Sequence, residues 1–305
     1  MDHHDNQLDQ TDAVDQAGAQ LLAVRFEENR TQLRAVAYRM LGSVTEADDA
    51  VQEAWLRLSR TDVSDVRNLG GWLTTVVSRV CLDMLRSRKS RREDPLDTFV
   101  PDPVLTKMDP EEEAVQTDSV GLAMLVVLET LGPAERLAFV LHDMFGLSFD
   151  EVAEIVDKTP AAARQLASRA RRRVQGAPAN EGDPDRHREI AEAFIAASRG
   201  GDFEGLLALL DPDVVLRADA GDVPAGATGS SRLIRGALTV VKQALTFTKL
   251  APHTRLAMVN GTPGIVTVVN NQLMGVMSLT VSNGRITEIN ILADINRLNH
   301  LPIPA

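Results

Sequence analysis

The side chains best suited to chemistry in this sequence are basic and amide groups that could hold DNA. They lie on a helix predicted from Pro160 to about Val174, away from its small apolar face. These side chains are Arg164, Gln165, Ser168, Arg169, Arg171 and Arg172. Guanidinium and amide groups at this spacing can pair with phosphates and with base edges in the major groove. The alternative is a surface helix with a solvated basic face, because helix-turn-helix look-alikes are common.

A preceding short helix and a tight turn must position this basic helix. Ser148 followed by Glu151 is a capping box that predicts a helix starting at Phe149. Asp157 and Lys158 interrupt that helix, and Thr159 is a natural N-cap before Pro160. The pattern predicts a helix-turn-helix.

A second surface combines an aromatic residue with basic groups, on a helix predicted to start at Trp72, after Gly70-Gly71, and to end near Arg92. One face of it carries Trp72, Thr75, Arg79, Asp83 and Arg86. The helix ends in a basic cluster that consists of Arg86, Arg88, Lys89, Arg91 and Arg92. Bases of single-stranded nucleic acid stack on aromatic rings while phosphates pair with guanidinium groups. Equally, Trp72 could anchor the core, and the sequence does not decide between these interpretations.

An acidic stripe lies on the second of two helices predicted over Leu21 to Leu41 and Glu46 to Ser59, the latter capped by Thr45. The stripe consists of Asp49, Gln52, Glu53 and Leu56. Acid, amide and one exposed apolar group on one face suit a protein interface that meets arginines. The alternative is a solvated acidic face.

Composition limits what these surfaces can do alone. The net charge of −11 argues against tight, independent DNA binding, so a partner protein should supply much of the affinity. No apolar run approaches the roughly 20 residues of a membrane span and no signal peptide is visible, so we expect a cytoplasmic protein without membrane contact. Cys81 should be a small buried residue, and His3 and His4 should be solvated rather than bind a metal.

The rest of the chain divides into linkers and one further domain. We expect residues 1–20 to be disordered, and residues 93–118 and 176–185 to be linkers. Beyond them, three helices are predicted before four strands, which indicates an α+β domain over residues 186–305. The helices are Arg186 to Arg199, Phe203 to Leu210 (capped by Asp202) and Ser230 to Leu245. The strands are Thr254 to Val259, Ile265 to Asn270, Leu273 to Val281 and Arg285 to Ile291, in an antiparallel sheet with a hairpin turn at Asn283-Gly284.

Three motifs in order resemble an extracytoplasmic-function (ECF) sigma factor of RNA polymerase. AYRMLGSVTEADDAVQEAWLRL and GGWLTTVVSRVCLDMLRSRKSRR resemble region two, and TLGPAERLAFVLHDMFGLSFDEVAEIVDKTPAAARQLASRARRRV resembles region four. The resemblance implies two all-α domains, residues 21–92 and 119–175. It implies an alternative sigma factor, monomeric outside the holoenzyme, that binds core RNA polymerase and promoter DNA to direct promoter-specific initiation.

The resemblance also implies roles for the candidate residues. Asp49, Gln52, Glu53 and Trp55, with Leu56 of the same stripe, would contact core polymerase. The helix from Trp72 to Arg92 would meet the minus-ten element, and the helix from Thr159 to Arg173 the minus-thirty-five element. This would explain how an acidic chain reads DNA, since sigma factors act within a holoenzyme.

The linker and the last domain resemble a subgroup of these sigma factors that carries a fused SnoaL-like domain with a cone fold. FVPDPV, with Phe99, Pro101, Asp102 and Pro103, is similar to the subgroup's WLPEP-type linker motif. Asp219 to Val223 stands where the subgroup has a DGGGR-type motif, and Asp294 to Leu298 where it has an NPDKL-type motif. Both depart from the pattern, so we expect the contact between this domain and the sigma core to be altered.

The SnoaL-like fold often encloses a pocket, in which acids and histidines of some relatives perform hydrolase or isomerase chemistry. The candidates here are Asp219, Asp222, His253 and Asp294. A small-molecule ligand could bind there, but we favour a regulatory domain over a catalytic one and expect no enzyme activity, cofactor or metal. The alternative function is a helix-turn-helix regulator fused to a ligand-binding or enzymatic SnoaL-like domain. Such a regulator would not need the acidic stripe.

Overall fold

The structure, a computed structural model, describes residues 5–61, 66–91, 98–106, 121–176, 180, 183–221, 223 and 230–304. For residues 5–19, 89 and 91 it describes the backbone alone. The chain divides into two compact units. The first contains Met1–Arg91 and Gly132–Ala170, and the second contains Arg92–Leu131 and Arg171–Ala305.

The described helices up to residue 176 form most of the first unit. They are α1 (Asp5–Leu41), α2 (Val44–Leu58), α3 (Leu69–Arg91), α4 (Leu122–Glu129), α5 (Pro133–Phe139), α6 (Phe149–Val156) and α7 (Pro160–Gln175), and a π-helical turn, Val140–Met144, follows α5. All except α4 and the end of α7 belong to the first unit. In that unit α1 packs against α2 and α3 through buried side chains such as Phe26, Leu33, Met40 and Leu73. Burying these apolar side chains stabilises the bundle.

Three expectations for these helices were wrong in detail. Residues 5–20 are helical rather than disordered, because the stretch has no proline and its alanine, glutamine and leucine residues let α1 continue. Ser43, not Thr45, caps α2, and its hydroxyl accepts a bond from the Glu46 amide at 3.4 Å. The third helix starts at Leu69, not Trp72, because Gly70 and Gly71 form its first turn.

The two glycines at the start of α3 leave room for the neighbouring helix α1 and for a side-chain cap on the first turn. The Asn68 Oδ1 accepts a bond from the Gly71 amide at 3.0 Å, which satisfies a donor of the first turn. A Cβ on Gly70 would lie 2.7 Å from the Asn29 Oδ1. Glycine therefore allows α3 to approach α1 closely.

The second unit is built on a seven-stranded sheet. Its strands are β1 (Leu105–Thr106), β2 (Leu210–Asp219), β3 (Arg232–Arg235), β4 (Thr254–Val259), β5 (Thr262–Val269), β6 (Gln272–Ser282) and β7 (Arg285–Leu292), in the order β1-β4-β5-β6-β7-β2-β3. Its other described α-helices are α8 (Pro184–Gly200), α9 (Phe203–Leu209), α10 (Ala237–Leu245) and α11 (Ile295–Leu298). One face of the sheet packs against α8 and α10 around Phe194, Leu216, Val240, Ile265 and Ile289. The α+β cone fold is confirmed.

The hairpin turn and the Asp202 cap are also confirmed. Asn283 and Gly284 have φ of 52° and 72°, the left-handed pair that this turn needs. The Asp202 Oδ1 accepts a bond from the Gly205 amide at 2.9 Å and starts α9.

The predicted sheet was wrong in two respects. The residues predicted as one helix from Ser230 to Leu245 form β3 and then α10. Arg232 to Arg235 pair with β2, and Gly236, at φ 87°, turns the chain between the strand and the helix. The strands β1 and β2 were not predicted, and β2 runs parallel to β7, so the sheet is mixed.

Candidate functional site

The helix-turn-helix has the local geometry that its sequence predicts. The Ser148 hydroxyl accepts a bond from the Glu151 amide at 3.3 Å, and the Ser148 amide donates to the Glu151 Oε2 at 2.8 Å. The Ser148 hydroxyl also donates to that carboxylate, which lowers the pKa of Glu151. Asp157 ends α6 in the left-handed conformation, and the Thr159 hydroxyl accepts a bond from the Ala162 amide at 3.2 Å to start α7.

Five of the six side chains predicted to contact DNA are exposed on α7. Arg164, Gln165, Ser168 and Arg169 are all exposed, while Ala163, Ala167 and Ala170 are buried on the opposite face. Arg172 is also exposed, and Arg171 is half-buried. No carboxylate of the described residues forms an ion pair with Arg164, Arg169 or Arg172, so their charges remain available to an anionic partner.

A stacked pair of aromatic side chains, which the sequence did not predict, lies beside Arg164. Its guanidinium lies 5.0 Å from the centroid of the Phe149 ring, and that ring stacks on His142 at 3.8 Å. The Nδ1 of His142 is in turn 2.7 Å from the Leu147 carbonyl oxygen. A cation–π contact of this kind restricts the rotamers of Arg164, so its guanidinium is partly preorganised for binding. The signal in the sequence was an aromatic residue at the first position of α6.

The acidic stripe on α2 is divided between exposed and engaged side chains. Asp49, Gln52 and Leu56 are exposed, and Leu56 retains 42% of its surface. Glu53 is half-buried and accepts a bond from the Arg57 Nε at 2.9 Å. Trp55 is half-buried too, and its ring lies 5.1 Å from that of Phe26 on α1.

The surface predicted on α3 is less uniform. Trp72 and Thr75 are half-buried, which leaves both interpretations of Trp72 open, and the Thr75 hydroxyl donates to the Gly71 carbonyl. Asp83 and Arg86 are exposed and form a loose ion pair at 3.7 Å. Arg79 is exposed, but its Nη2 donates to the Glu154 carbonyl oxygen of α6 at 3.1 Å.

Arg88 has a structural contact that its position in the basic cluster did not indicate. Its Nη1 donates to the Leu41 carbonyl at 3.1 Å, at the end of α1, and its Nη2 pairs with the Glu46 carboxylate. A cation at a helix C-terminus stabilises the free carbonyl groups there. The guanidinium of Arg88 therefore stabilises the helical bundle through these contacts with Leu41 and Glu46.

The linker motif docks on the C-terminal domain within the second unit. Arg297 donates to the Val100 carbonyl at 2.6 Å, to the Asp102 Oδ1 at 2.7 Å and to the Asp219 Oδ2 at 2.8 Å. Its guanidinium also lies 4.8 Å from the centroid of the Phe99 ring. Asp102 and Pro103 are buried, as is Pro101. We call this set of contacts the linker dock.

Backbone pairing extends the linker dock. The Val100 amide donates to the Asp219 Oδ2 at 3.1 Å, and β1 continues the sheet by pairing Leu105 with Val259. Asn260 exchanges two bonds with Val104, its amide donating at 2.8 Å and its Oδ1 accepting at 2.9 Å. The linker thus adds a short strand to the domain.

The two stretches that depart from the subgroup pattern meet at the linker dock. Asp219 ends β2, and Asp294 caps α11 by accepting a bond from the Asn296 amide at 2.9 Å, which presents Arg297. Gly221, at φ 64°, passes so close to the Asp294 carboxylate that a Cβ would overlap it. Asp219 and Arg297 therefore contact the linker directly, and Asp294 positions Arg297 by capping its helix.

The four pocket candidates are not brought together around a cavity. The domain encloses a cavity of about 210 Å³, but Asp219, His253 and Asp294 are not among its lining residues. Asp219 and Asp294 serve the linker dock, and His253 is exposed in a 3₁₀ turn. Asp222 lies outside the described residues.

The remaining candidates from the sequence are the thiol of Cys81 and the two histidines His3 and His4. Cys81 is fully buried, and burial raises the pKa of its thiol to about 12, so it packs as a small apolar residue. Within the described ranges no cluster of three metal-ligating side chains occurs, and His3 and His4 lie outside them. In the same part of the chain, no helix has the length and apolar character needed to cross a membrane.

Comparison with known proteins finds family models and relatives that together match about nine tenths of this chain. The model of Sigma-70 region 2 matches residues 25–91, and the model of Sigma-70, region 4, matches residues 122–174. The probable ECF RNA polymerase sigma factor SigI of Mycobacterium tuberculosis is 37% identical over 286 residues, covering 92% of this chain and 96% of the relative. The ECF RNA polymerase sigma factor SigJ of the same organism is 40% identical over 297 residues, covering 91% and 93%. The crystal structure of Mycobacterium tuberculosis SigJ matches 92% of this chain and 99% of its own, with a TM-score of 0.72 and 36% identity.

Proposed function

Because this chain belongs to the extracytoplasmic-function sigma factors of RNA polymerase, it directs promoter-specific initiation as an alternative sigma factor, and we propose how its surfaces divide this work. Sigma factors bind core RNA polymerase and promoter DNA. The relatives align over more than nine tenths of the chain, including its SnoaL-like domain. A helix-turn-helix regulator fused to an unrelated enzyme is therefore not favoured.

Core polymerase binds the stripe on α2 in this proposal. Asp49, Gln52 and Leu56 are exposed and would form the contact, because an acid, an amide and an apolar group together suit a basic protein surface. Glu53 contributes charge while it is paired with Arg57. Trp55 supports the stripe by packing against Phe26.

The minus-ten element is held by α3 in this proposal. Trp72 offers a partly exposed ring, Thr75 lies one turn on, and Asp83 and Arg86 are exposed beyond them. Arg79 contacts a DNA phosphate in this proposal, after its hydrogen bond to the Glu154 carbonyl breaks. We omit Arg88 because its guanidinium stabilises the end of α1.

The minus-thirty-five element is read by α7. The observation that carries this assignment is that four exposed side chains, Arg164, Gln165, Ser168 and Arg169, share one helix face without an acidic partner among the described residues. Arginine pairs with guanine edges and glutamine with adenine edges in the major groove. Arg171 and Arg172 would contact phosphates, and Thr159 sets the start of the helix.

Transcription reconstituted with purified core polymerase tests this assignment. Arg164→Ala and Arg169→Ala should each lower initiation at a cognate promoter by roughly five- to 150-fold, since one good base contact is worth about 1–3 kcal/mol. Binding to core polymerase should be unchanged. Arg186→Ala, an exposed arginine on α8, is the matched control. Loss of core binding in the α7 variants, or full initiation by both, would contradict the assignment.

The C-terminal domain modulates this activity by holding the linker between the two DNA-reading regions. The linker dock supports this role, because releasing residues 98–106 would change how far regions two and four can separate. The domain has no catalytic role in the proposal, since no carboxylate or imidazole of the described residues lines its cavity. We also place the protein in the cytoplasm, as a monomer until core polymerase binds it.

A further inference from the structure

The cavity of the C-terminal domain is large enough for a ligand and predominantly apolar. It lies between the sheet and the helices α8 and α10, with a volume of about 210 Å³. Its apolar lining residues include Phe194, Leu216, Ile265, Ile289 and Met277. An apolar cavity of about 150 Å³ in another protein stays dry and binds benzene. This cavity can therefore take at least one ring or a short hydrocarbon chain.

A single charged side chain lines the described part of this cavity. Arg232, on the edge strand β3, is paired with Ala218, which lines the cavity beside it. The Arg232 Nε donates to the Ser230 carbonyl at 3.1 Å, which fixes the direction of the guanidinium. No described residue accepts a bond from its two terminal nitrogens. These donors are arranged for a planar anion such as a carboxylate.

The cavity also has an apolar mouth. Phe247 and Leu250, in the turns after α10, both line the cavity and remain 43% and 37% exposed. Large apolar side chains left in water at a cavity entrance favour a partly apolar ligand, because it would cover them. Apart from Arg232, the polar side chains that line the cavity are neutral: Ser198, Ser230, Gln243, Thr248, Thr254 and Thr267.

We propose that this cavity binds a small amphipathic carboxylate, such as a medium-chain fatty acid or an aromatic acid. Its hydrocarbon part fills the space between the sheet and α8, and its carboxylate accepts bonds from Arg232. The charge-assisted pair selects the acid over a neutral analogue of the same length. The protein binds this ligand without transforming it, because the described lining offers no acid or base.

The cavity and the linker dock share two chain segments. Ala220 lines the cavity directly after Asp219, and Ala293 lines it directly before Asp294. The Ala293 amide donates to the Asp219 carbonyl at 2.7 Å, so the two segments are bonded together. A ligand that displaces Ala220 or Ala293 therefore shifts the acids that position Arg297. This coupling rests on the proposed regulatory function, whereas the binding itself does not.

Calorimetric titration of the full-length chain with decanoate and with decanol tests the binding. The unaltered protein should bind decanoate saturably, and Arg232→Gln should weaken decanoate binding at least tenfold while leaving decanol binding unchanged. Ala244→Phe, which fills the cavity from α10, should abolish both. Lys249→Gln is the control, because it removes a nearby exposed charge that does not line the cavity. Circular dichroism of each variant checks that it is folded.

Each outcome decides one part of the proposal. Absence of saturable decanoate binding, equal weakening by Lys249→Gln and Arg232→Gln, or binding that survives Ala244→Phe would overturn the ligand assignment. Hydrogen exchange of residues 98–106 with and without decanoate tests the coupling, and a change that Arg232→Gln removes would support it. Decanoate binding with unchanged exchange would reject the coupling while leaving the ligand site intact.

Discussion

Arg297 is the residue on which the linker dock depends, and Arg297→Met is its most informative perturbation. The guanidinium joins the Val100 carbonyl, Asp102 of the linker and Asp219 of β2. Methionine keeps an apolar stem against Phe99 but removes the charge and every donor. Asp102 and Asp219 would then remain buried, with side chains only 7% and 10% exposed, without their shared cation.

The size of the effect follows from this burial. Removing one partner of a buried ion pair costs about 3–5 kcal/mol, and the 21% exposure of the Arg297 side chain favours the lower end of that range. The domain can relieve the strain on Asp102 by releasing the linker into water. A cost of about 3 kcal/mol shifts the balance toward the released linker by roughly a hundredfold.

Hydrogen exchange measures this release directly. The Val100 and Val104 amides donate within the linker dock, so their protection should fall by roughly a hundredfold in Arg297→Met. Arg285→Met, an exposed arginine at the start of β7, should leave exchange unchanged. Adding Asp102→Asn should restore part of the protection, because it removes one stranded charge. Exchange within about threefold of the unaltered protein would refute the reasoning.

Three further variants test single interactions. Ser148→Ala should destabilise the first unit by about 0.5–2 kcal/mol in urea unfolding, since it removes the α6 cap; unchanged stability would mean the cap is dispensable. Gly221→Ala should loosen residues 98–106 in hydrogen exchange, because φ is 64° and the new Cβ meets Asp294; wild-type exchange would contradict this. Burial lowers the pKa of His187, so unfolded chains take up a proton that folded ones do not. Stability is therefore complete above about pH 6.5 and falls at lower pH by up to about 1.4 kcal/mol per unit, and His187→Gln should flatten this profile.

Local sequence determined the helix-turn-helix and much of the sheet. The capping box at Ser148, the N-cap at Thr159 and the turn at Asn283-Gly284 depend on groups within three residues of each other, so each could be recognised from the chain alone. The exposed face of α7 follows from helical periodicity for the same reason. The resemblance to sigma factors rests on these local patterns.

Tertiary structure decided which charged residues are available and which are committed. Arg88 stabilises the end of α1, 47 residues away, although its neighbours in sequence suggest a DNA surface. Arg297 meets Asp102 across 195 residues, and Leu105 of β1 pairs with Val259 of β4, which is 154 residues away. Asp219 and Asp294, which were predicted to lie in the pocket, serve this contact instead, while Arg232, on a strand predicted to be helical, lines the cavity. Such partners are distant in sequence, and only the folded backbone brings them within hydrogen-bonding distance.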